Sequence, residues 1–121
     1  MKRVLVIDDS AIVRNHMKTM LKRLENVELV QATNGREGLD LAKADRFDVI
    51  ITDVHMPEMD GTTMIGKLRG NPWYRDTPIV VVTTERDPGE HIRLRDAGAT
   101  ALAIKPLNLA VFKEMIERFI S

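Results

Sequence analysis

The sequence predicts an α/β domain with a parallel sheet and helices on both of its faces, and two observations lead to this fold class. Short apolar runs rich in β-branched residues alternate with segments of helical spacing along the 121 residues. No linker, internal repeat or change of composition divides the chain, which is shorter than the roughly 150 residues typical of one domain. We therefore expect residues 1–121 to form a single domain in which right-handed crossovers connect parallel strands.

Five strands are predicted, each a short run of mainly apolar residues. The first, residues 4–7, is apolar at every position, as expected for a strand that is buried on both faces. Thr33-Asn34-Gly35 ends the second run, as turn-forming residues commonly do. The four later strands cover residues 27–32, 48–53, 78–83 and 101–104.

A helix is predicted after each strand. Ser10 is placed to cap the first helix, in which apolar residues recur at helical spacing from Val13 to Leu24. The third helix ends at Gly70-Asn71-Pro72. Gly98 ends a polar fourth helix, and the fifth helix carries apolar residues at helical spacing between 111 and 120.

The composition excludes several classes of protein. Hydrophobic residues make up 44% and charged residues 30% of the chain, as in globular domains rather than disordered segments. The absence of cysteine excludes disulfides and thiolate metal sites. Lys and Arg number 18, equal to the 18 Asp and Glu, so bulk charge does not favour nucleic acid. The first apolar run is too short for a signal peptide or membrane span. We therefore expect a soluble, cytoplasmic protein. We expect it to be monomeric when unmodified, because no exposed apolar stripe is evident.

Polar side chains follow the predicted strands at their carboxyl ends. In open α/β sheets, ligands bind beyond these ends, near the point where the strand order reverses. The residues delivered to this edge are carboxylates, hydroxyl groups and one ammonium group: Asp8, Asp9, Asp53, Thr83, Thr84 and Lys105. This convergence predicts that the chemistry of the protein takes place at the carboxyl edge of the sheet.

Three carboxylates in one cleft repel one another, by about 4 kcal/mol for two charges 4 Å apart at an effective dielectric constant of 20. Lys105 can offset part of this repulsion, and a divalent cation would offset more. An all-oxygen site suits Mg²⁺ better than zinc or copper. Because phosphate oxygens usually complete a magnesium site, the residues indicate phosphoryl chemistry, with an aspartate as the nucleophile that forms an acyl phosphate.

Several other site types lack their motifs. The chain contains no G-x-G-x-x-G and no P-loop, which argues against dinucleotide or nucleoside triphosphate binding. It also lacks a His pair at metal-ligand spacing and a G-x-S-x-G elbow. His16 and His91 lie in helical stretches, and we expect both to be solvated.

Several stretches of the sequence resemble the motifs of a known family. The stretches at 6–10, 53–61, 81–83 and 98–101, the last leading to Lys105-Pro106, are together similar to those of response-regulator receiver domains, close to the single-domain chemotaxis type. The resemblance covers essentially the whole chain. It implies a flavodoxin-like, doubly wound five-stranded parallel sheet of order 2-1-3-4-5 with five helices in three layers, an order that chemotaxis regulators exemplify. It also implies a cis Lys105-Pro106 bond.

The resemblance also implies a role for each residue of the edge. Asp53 would accept a phosphoryl group from a phosphohistidine on a sensor histidine kinase. Asp9, Asp53 and the main-chain carbonyl of His55 would bind Mg²⁺ directly, and Asp8 would act mostly through water. Lys105 would pair with the phosphoryl oxygens, and Thr83 would move toward them.

The movement of Thr83 is implied to change the face formed by the fourth helix, fifth strand and fifth helix, which a downstream protein partner reads. Leu102 stands where the family usually has an aromatic residue coupled to this movement, which puts the aromatic form of the switch in question. His55 and Glu85 occupy positions that tune dephosphorylation, and we count Thr84 with Glu85 and Leu102 as modulatory. Since imidazole changes charge near neutral pH, His55 predicts a phosphoryl lifetime that depends on pH.

The leading interpretation is therefore a stand-alone, phosphorylation-activated binding switch, catalytic only in its own phosphorylation and dephosphorylation. A phosphorelay shuttle between histidine phosphodonors is the alternative. A magnesium-dependent phosphatase of the haloacid-dehalogenase kind would need D-x-D after the first strand, whereas Asp8 and Asp9 are adjacent. A flavin-binding electron carrier is disfavoured because its phosphate would face three carboxylates.

Overall fold

A computed structural model describes residues 1–56 and 59–120, and in these ranges strands alternate with helices. The five strands are β1 (Lys2–Ile7), β2 (Val27–Ala32), β3 (Val49–Asp53), β4 (Ile79–Thr83) and β5 (Ala101–Ile104). The five α-helices are α1 (Ala11–Leu21), α2 (Gly35–Ala44), α3 (Gly61–Arg69), α4 (Pro88–Ala97) and α5 (Leu109–Ile120), and a 3₁₀ turn covers Pro72–Tyr74. None of the helices in the described ranges is long and apolar enough to cross a membrane.

The strands form one parallel sheet in the order β2-β1-β3-β4-β5. The flavodoxin-like order is therefore confirmed, and each strand lies within two residues of its prediction, a difference that arises at strand ends. The register aligns the carboxyl ends of the central strands, because Ile7 is paired with Thr52 and Asp53 with Val82. This alignment brings Asp8 and Asp53 to the same edge.

The sheet is covered on both faces, which confirms the three layers. Alternate residues of each strand point to opposite faces, so β1 contributes Leu5 and Ile7 to one core and Val4 and Val6 to the other. The first core packs the sheet against α2, α3 and α4, and the second packs it against α1 and α5. Both cores consist mainly of buried aliphatic side chains, which hold the strand ends of the sheet in fixed positions.

Polar caps start the helices at the carboxyl edge. Ser10 caps α1 as predicted, since its hydroxyl accepts a hydrogen bond from the Val13 amide at 3.3 Å. Asp60 caps α3 in the same way at 2.7 Å from the Thr63 amide, and this hydrogen bond lowers the pKa of Asp60. At the other end of α4, Gly98 has a φ of 124° and ends the helix, as predicted.

Candidate functional site

The three aspartates predicted from the strand ends lie together. A carboxylate oxygen from each of Asp8, Asp9 and Asp53 lies within 4.8 Å of the other two. Asp8 follows β1 and is 2% exposed, Asp53 ends β3 and is 8% exposed, and Asp9 is exposed. Two buried carboxylates and one exposed carboxylate therefore form an acidic cluster that opens to solvent on the side of Asp9.

Backbone amides hold the two buried carboxylates in place. Asp8 Oδ1 accepts a hydrogen bond from the Ser10 amide at 2.8 Å. Asp53 Oδ1 accepts from the amides of Val54 at 2.7 Å and His55 at 3.3 Å. The turn after β3 also packs closely on α3, because a Cβ at Gly61 would lie 2.7 Å from the Val54 Cα atom. The orientation of the Asp53 side chain is therefore set by its own loop.

Lys105 compensates part of the negative charge. Its Nζ atom lies 3.7 Å from Asp8 Oδ2 and 3.7 Å from Asp53 Oδ2, so one ammonium group bridges the two buried carboxylates. The compensation is incomplete, because this one ammonium group pairs with only two of the three carboxylates. Burial raises the pKa of Asp8, the Ser10 amide opposes this shift, and the nearby Asp53 charge adds to it. The Lys105-Pro106 peptide bond is cis, as the resemblance implied.

The donor set of the cluster fits a hard divalent cation. All the side-chain donors are carboxylate oxygens, which are the ligands that Mg²⁺ prefers, and the uncompensated negative charge favours a cation over a neutral ligand. The described residues contain no other group of three or more acidic or imidazole side chains at metal-ligand spacing. Asp8, Asp9, Asp53 and the main-chain carbonyl of His55 remain the predicted ligands. Pro57 and Glu58, within the family-like stretch at 53–61, lie outside the described residues.

Thr83 lies at the end of β4 and is fully buried. Its hydroxyl oxygen accepts a hydrogen bond from the Glu85 amide at 3.0 Å, and its carbonyl accepts one from the Lys105 amide at 2.8 Å. Thr84 is exposed. The switch residue of the prediction is thus connected both to the loop that leads to α4 and to the backbone of the candidate phosphoryl-binding lysine.

The predicted modulatory positions differ in their surroundings. His55 and Glu85 line one cleft of about 330 Å³ between the loops that follow β3 and β4. The Glu85 carboxylate folds back on its own loop, where it accepts hydrogen bonds from the amides of Arg86 at 3.1 Å and Asp87 at 3.0 Å. Leu102 is half-buried and packs against the core beneath α4.

The structure corrects the expectation for His91. His91 is half-buried rather than solvated, and its Nε2 atom lies 2.7 Å from the carbonyl oxygen of Glu85. An imidazole from α4 is thus bonded to the loop whose amide binds Thr83. Helical spacing alone could not reveal this contact, because it depends on how the β4–α4 loop folds back over the helix.

Sequence reasoning also overlooked Arg14, whose guanidinium Nη1 atom donates a hydrogen bond to the carbonyl oxygen of Asp8 at 2.6 Å. One sequence signal pointed to it. A cation in the first turn of a helix is opposed by the helix dipole, so Arg14 near the start of α1 requires a local partner. Helical side chains lean toward the N-terminus of their helix, and the N-terminus of α1 lies next to the acidic cluster.

Comparisons with known proteins agree with this geometry. The chemotaxis protein CheY homolog of Campylobacter jejuni is 39% identical over 116 residues, which cover 95% of this chain and 89% of that protein. Chemotaxis protein CheY1 of Helicobacter pylori is 36% identical over 95% of this chain and 94% of its own length.

Solved structures are similar over nearly the full length. The chemotaxis response regulator CheY4 of Vibrio cholerae matches with a TM-score of 0.91 at 36% identity and covers 98% of both chains. The receiver domain of a signal transduction histidine kinase from Syntrophus aciditrophicus matches with a TM-score of 0.89 at 31% identity, over 99% of this chain and 90% of that one. The family profile described as response regulator receiver domain matches residues 4–117. The chain therefore belongs to the response regulator receiver domain family.

Proposed function

We propose that this chain is a phosphorylation-regulated signalling switch of the chemotaxis type, in which Asp53 accepts the phosphoryl group. The observation that carries the proposal is the acidic cluster itself: Asp53 lies within 4.8 Å of two further carboxylates and 3.7 Å from the Lys105 ammonium group. Receiver domains are signalling proteins rather than metabolic enzymes, and the chemotaxis relatives favour a stand-alone regulator over a phosphorelay shuttle or a phosphatase.

The two oxygens of Asp53 are suited to different tasks. Oδ1 accepts two backbone hydrogen bonds, whereas Oδ2 has no backbone donor among the described contacts and faces Lys105. We assign Oδ2 as the nucleophile that attacks phosphorus. The phosphorus–nitrogen bond of a phosphohistidine then breaks, its electron pair returns to the imidazole, and an acyl phosphate forms on Asp53. Hydrolysis by water returns the carboxylate and releases inorganic phosphate.

Lys105 stabilises the charge that this transfer moves. Its ammonium group already lies at the same distance from Asp8 and Asp53, so it can follow the added phosphoryl oxygens without leaving the cluster. Asp8, Asp9, Asp53 and the His55 carbonyl would hold Mg²⁺, which supplies further neutralisation of the carboxylate and phosphoryl charges.

Thr83 connects the phosphoryl group to the rest of the molecule. Thr83 already accepts a hydrogen bond from the Glu85 amide at 3.0 Å. If its side chain turns toward Asp53 to donate the hydroxyl proton to a phosphoryl oxygen, the hydroxyl oxygen moves relative to that amide and the bond to Glu85 is strained. The Glu85 carbonyl is in turn bonded to His91 of α4. A shift of Thr83 therefore loosens the loop that holds the start of α4, and so alters the face formed by α4, β5 and α5.

That face is the proposed contact for a downstream protein, and a sensor histidine kinase is the proposed phosphodonor. Ile92 of α4 and Val111 of α5 are exposed at 48% and 58%, which gives a partner apolar anchors on either side of β5. Leu102 lies in β5 and can change its rotamer with this movement, although it lacks the ring of the usual aromatic residue. We propose that residues 1–121 act as a cytoplasmic domain that is monomeric when unphosphorylated.

The test is the intact mass of the protein after incubation with acetyl phosphate and Mg²⁺. The wild type is expected to gain one phosphoryl group that is lost on further incubation, and to gain none in the presence of EDTA. Asp53→Asn should gain none under either condition, because the amide cannot form an acyl phosphate. An equal gain in Asp53→Asn would overturn the assignment of Asp53, and the absence of any gain in the wild type would overturn the proposed chemistry.

A further inference from the structure

Arg14 is the one guanidinium group that the described contacts connect to the acidic cluster. It lies on α1, is half-buried, and donates from Nη1 to the carbonyl oxygen of Asp8 at 2.6 Å, a short distance that is typical of a charge-assisted hydrogen bond. The contact is to the backbone of Asp8 and not to its carboxylate. Its effect is therefore on the path of the chain rather than on the charge of one side chain.

The carbonyl that Arg14 binds belongs to the peptide unit joining Asp8 and Asp9. Because a peptide unit is planar, the orientation of this carbonyl sets the direction in which the chain leaves Asp8 and thus the position of the Asp9 Cα atom. On the Asp8 side, the amide donates to the Ala32 carbonyl at 3.1 Å and the carboxylate accepts from Ser10. Asp8 is thus fixed from several directions.

Asp9 lacks such restraints. It is exposed, and its carboxylate has no hydrogen bond or ion pair among the residues that the structure describes. Two like charges lie beside it within 4.8 Å, so repulsion favours a backbone arrangement that moves Asp9 away from the cluster. The hydrogen bond from Arg14 opposes this movement at the peptide unit that carries Asp9.

We propose that Arg14 is a positioning residue for the divalent-cation site: it fixes the Asp8–Asp9 peptide unit so that the Asp9 carboxylate stays beside Asp8 and Asp53. The inference rests on the proposed function, because Mg²⁺ is the cation that the phosphoryl chemistry requires. It adds to that function a residue outside the ligand set on which the affinity for the cation depends.

The positive charge of Arg14 and its positioning role have opposite effects on the affinity for Mg²⁺. A positive guanidinium near the site repels a cation, so neutralising Arg14 would strengthen Mg²⁺ binding if charge were its only contribution. Loss of a group that orients a ligand weakens metal binding, commonly by 10- to 100-fold. The direction of the change in Mg²⁺ affinity therefore separates positioning from electrostatics.

The experiment is calorimetric titration of the phosphoryl-free protein with MgCl₂, in the wild type, Arg14→Gln, Arg14→Lys and Lys18→Gln. We expect Arg14→Gln to raise the Kd for Mg²⁺ by about tenfold or more. Arg14→Lys should have a smaller effect, because an ammonium group can still donate one hydrogen bond. Lys18→Gln removes the same charge from the last turn of the same helix and should leave the Kd unchanged.

Phosphorylation by acetyl phosphate supplies the second measurement. The rate for Arg14→Gln should fall at limiting Mg²⁺ and approach the wild-type rate at saturating Mg²⁺, because the residue positions a ligand and takes no part in the transfer. An unchanged or lower Kd in both Arg14 variants, with a wild type that binds Mg²⁺ and is phosphorylated, would overturn this inference alone. If Arg14→Gln does not fold, the Kd of Arg14→Lys for Mg²⁺ decides: a Kd above that of the wild type supports the inference, and an unchanged or lower Kd overturns it. A wild type that fails to bind Mg²⁺ and to take up phosphoryl would overturn the inference together with the proposed function.

Discussion

The two edges of the sheet treat charge in opposite ways. At the carboxyl edge, three carboxylates lie together, one ammonium group pairs with two of them, and burial raises the pKa of Asp8. At the amino edge, the positively charged guanidinium of Arg3 lies between two carboxylates, 3.3 Å from that of Glu28 and 3.0 Å from that of Asp45. Like charges are thus collected at one end of the same strands and unlike charges at the other.

The amino edge is also closely hydrogen-bonded. The Arg3 amide donates to Asp48 Oδ2 at 2.7 Å, and the Arg3 guanidinium lies 4.9 Å from the centre of the Phe47 ring. Arg69 Nη1 donates to the Thr77 carbonyl at 2.8 Å, and Arg69 Nη2 donates to the Gly98 carbonyl at 2.7 Å. These contacts join the end of α3 to the connections before β4 and β5.

The amino edge of the sheet therefore contributes to stability, whereas the carboxyl edge carries the functional site. Paired groups at the amino edge hold the strand starts in register, and nothing in their arrangement requires a ligand. The acidic cluster lowers the stability of the metal-free protein because buried like charges repel, and that repulsion is relieved when a cation or a proton arrives. Removal of a carboxylate from the acidic cluster should therefore raise the stability of the metal-free protein, whereas loss of a paired group at either edge should lower it.

The largest expected effect is that of Lys105→Gln. With the ammonium group removed, two buried carboxylates lose the one counter-ion that they have among the described residues. The free energy of unfolding at pH 7 without Mg²⁺ should fall by about 2 kcal/mol, less than for a fully buried pair. Urea denaturation measures this change. Lys113→Gln, which breaks a pair on α5 at 3.4 Å from Glu117, is the matched control and should cost less than about 0.5 kcal/mol. Equal stability of Lys105→Gln and the wild type would mean that Lys105 does not compensate the charge of the two buried carboxylates.

A smaller effect is expected at the amino edge from Tyr74→Phe. Tyr74 is 1% exposed, burial raises the pKa of its hydroxyl, and that hydroxyl lies 2.7 Å from the carbonyl oxygens of both Ala42 and Asp45. Loss of the donor should lower the free energy of unfolding by about 1.5 kcal/mol. Mg²⁺ affinity and phosphorylation should not change, because the opposite edge is untouched. A loss of Mg²⁺ affinity in Tyr74→Phe would mean that the two edges are not independent.

Much of the fold could be predicted from the sequence, for identifiable reasons. The strands are apolar at nearly every position because both faces are covered, so their runs stand out from the amphipathic helices. Once the sheet is parallel, its topology places Asp8 and Asp53 at one edge without any knowledge of side-chain geometry. Ser10 and Gly98 could be assigned to helix ends because capping depends on local chemistry.

The contacts that refine the site could not be predicted in the same way. The bond from Arg14 to the Asp8 carbonyl and the bond between His91 and the Glu85 carbonyl both join a helix side chain to the backbone of the loop that precedes that helix. Such contacts depend on the path of a loop, which periodicity does not encode. The solvated position expected for His91 was wrong for this reason. The roles assigned to Thr84, Glu85 and Leu102 stay predictions.

Protonation should relieve the repulsion in the acidic cluster, as a bound cation does. The direction of the resulting pH dependence of stability follows from the pKa of Asp8. Its pKa is raised in the folded protein, chiefly by burial, so the folded state binds the proton more tightly than the unfolded state. Without Mg²⁺, the contribution of Asp8 to stability is therefore most favourable at low pH. It falls as the pH rises from the ordinary carboxyl range through the raised native value. In Asp8→Asn this part of the pH dependence should be absent from urea denaturation curves.

The repulsion within the acidic cluster is tested most directly by the thermal unfolding midpoints of the wild type and Asp8→Asn at pH 7, each with EDTA and with MgCl₂. We expect Asp8→Asn to be the more stable of the two in EDTA, because one buried like charge is gone. We also expect MgCl₂ to raise the midpoint of the wild type more than that of the variant. A variant that is less stable than the wild type in EDTA, together with a wild type that does not respond to MgCl₂, would contradict both expectations.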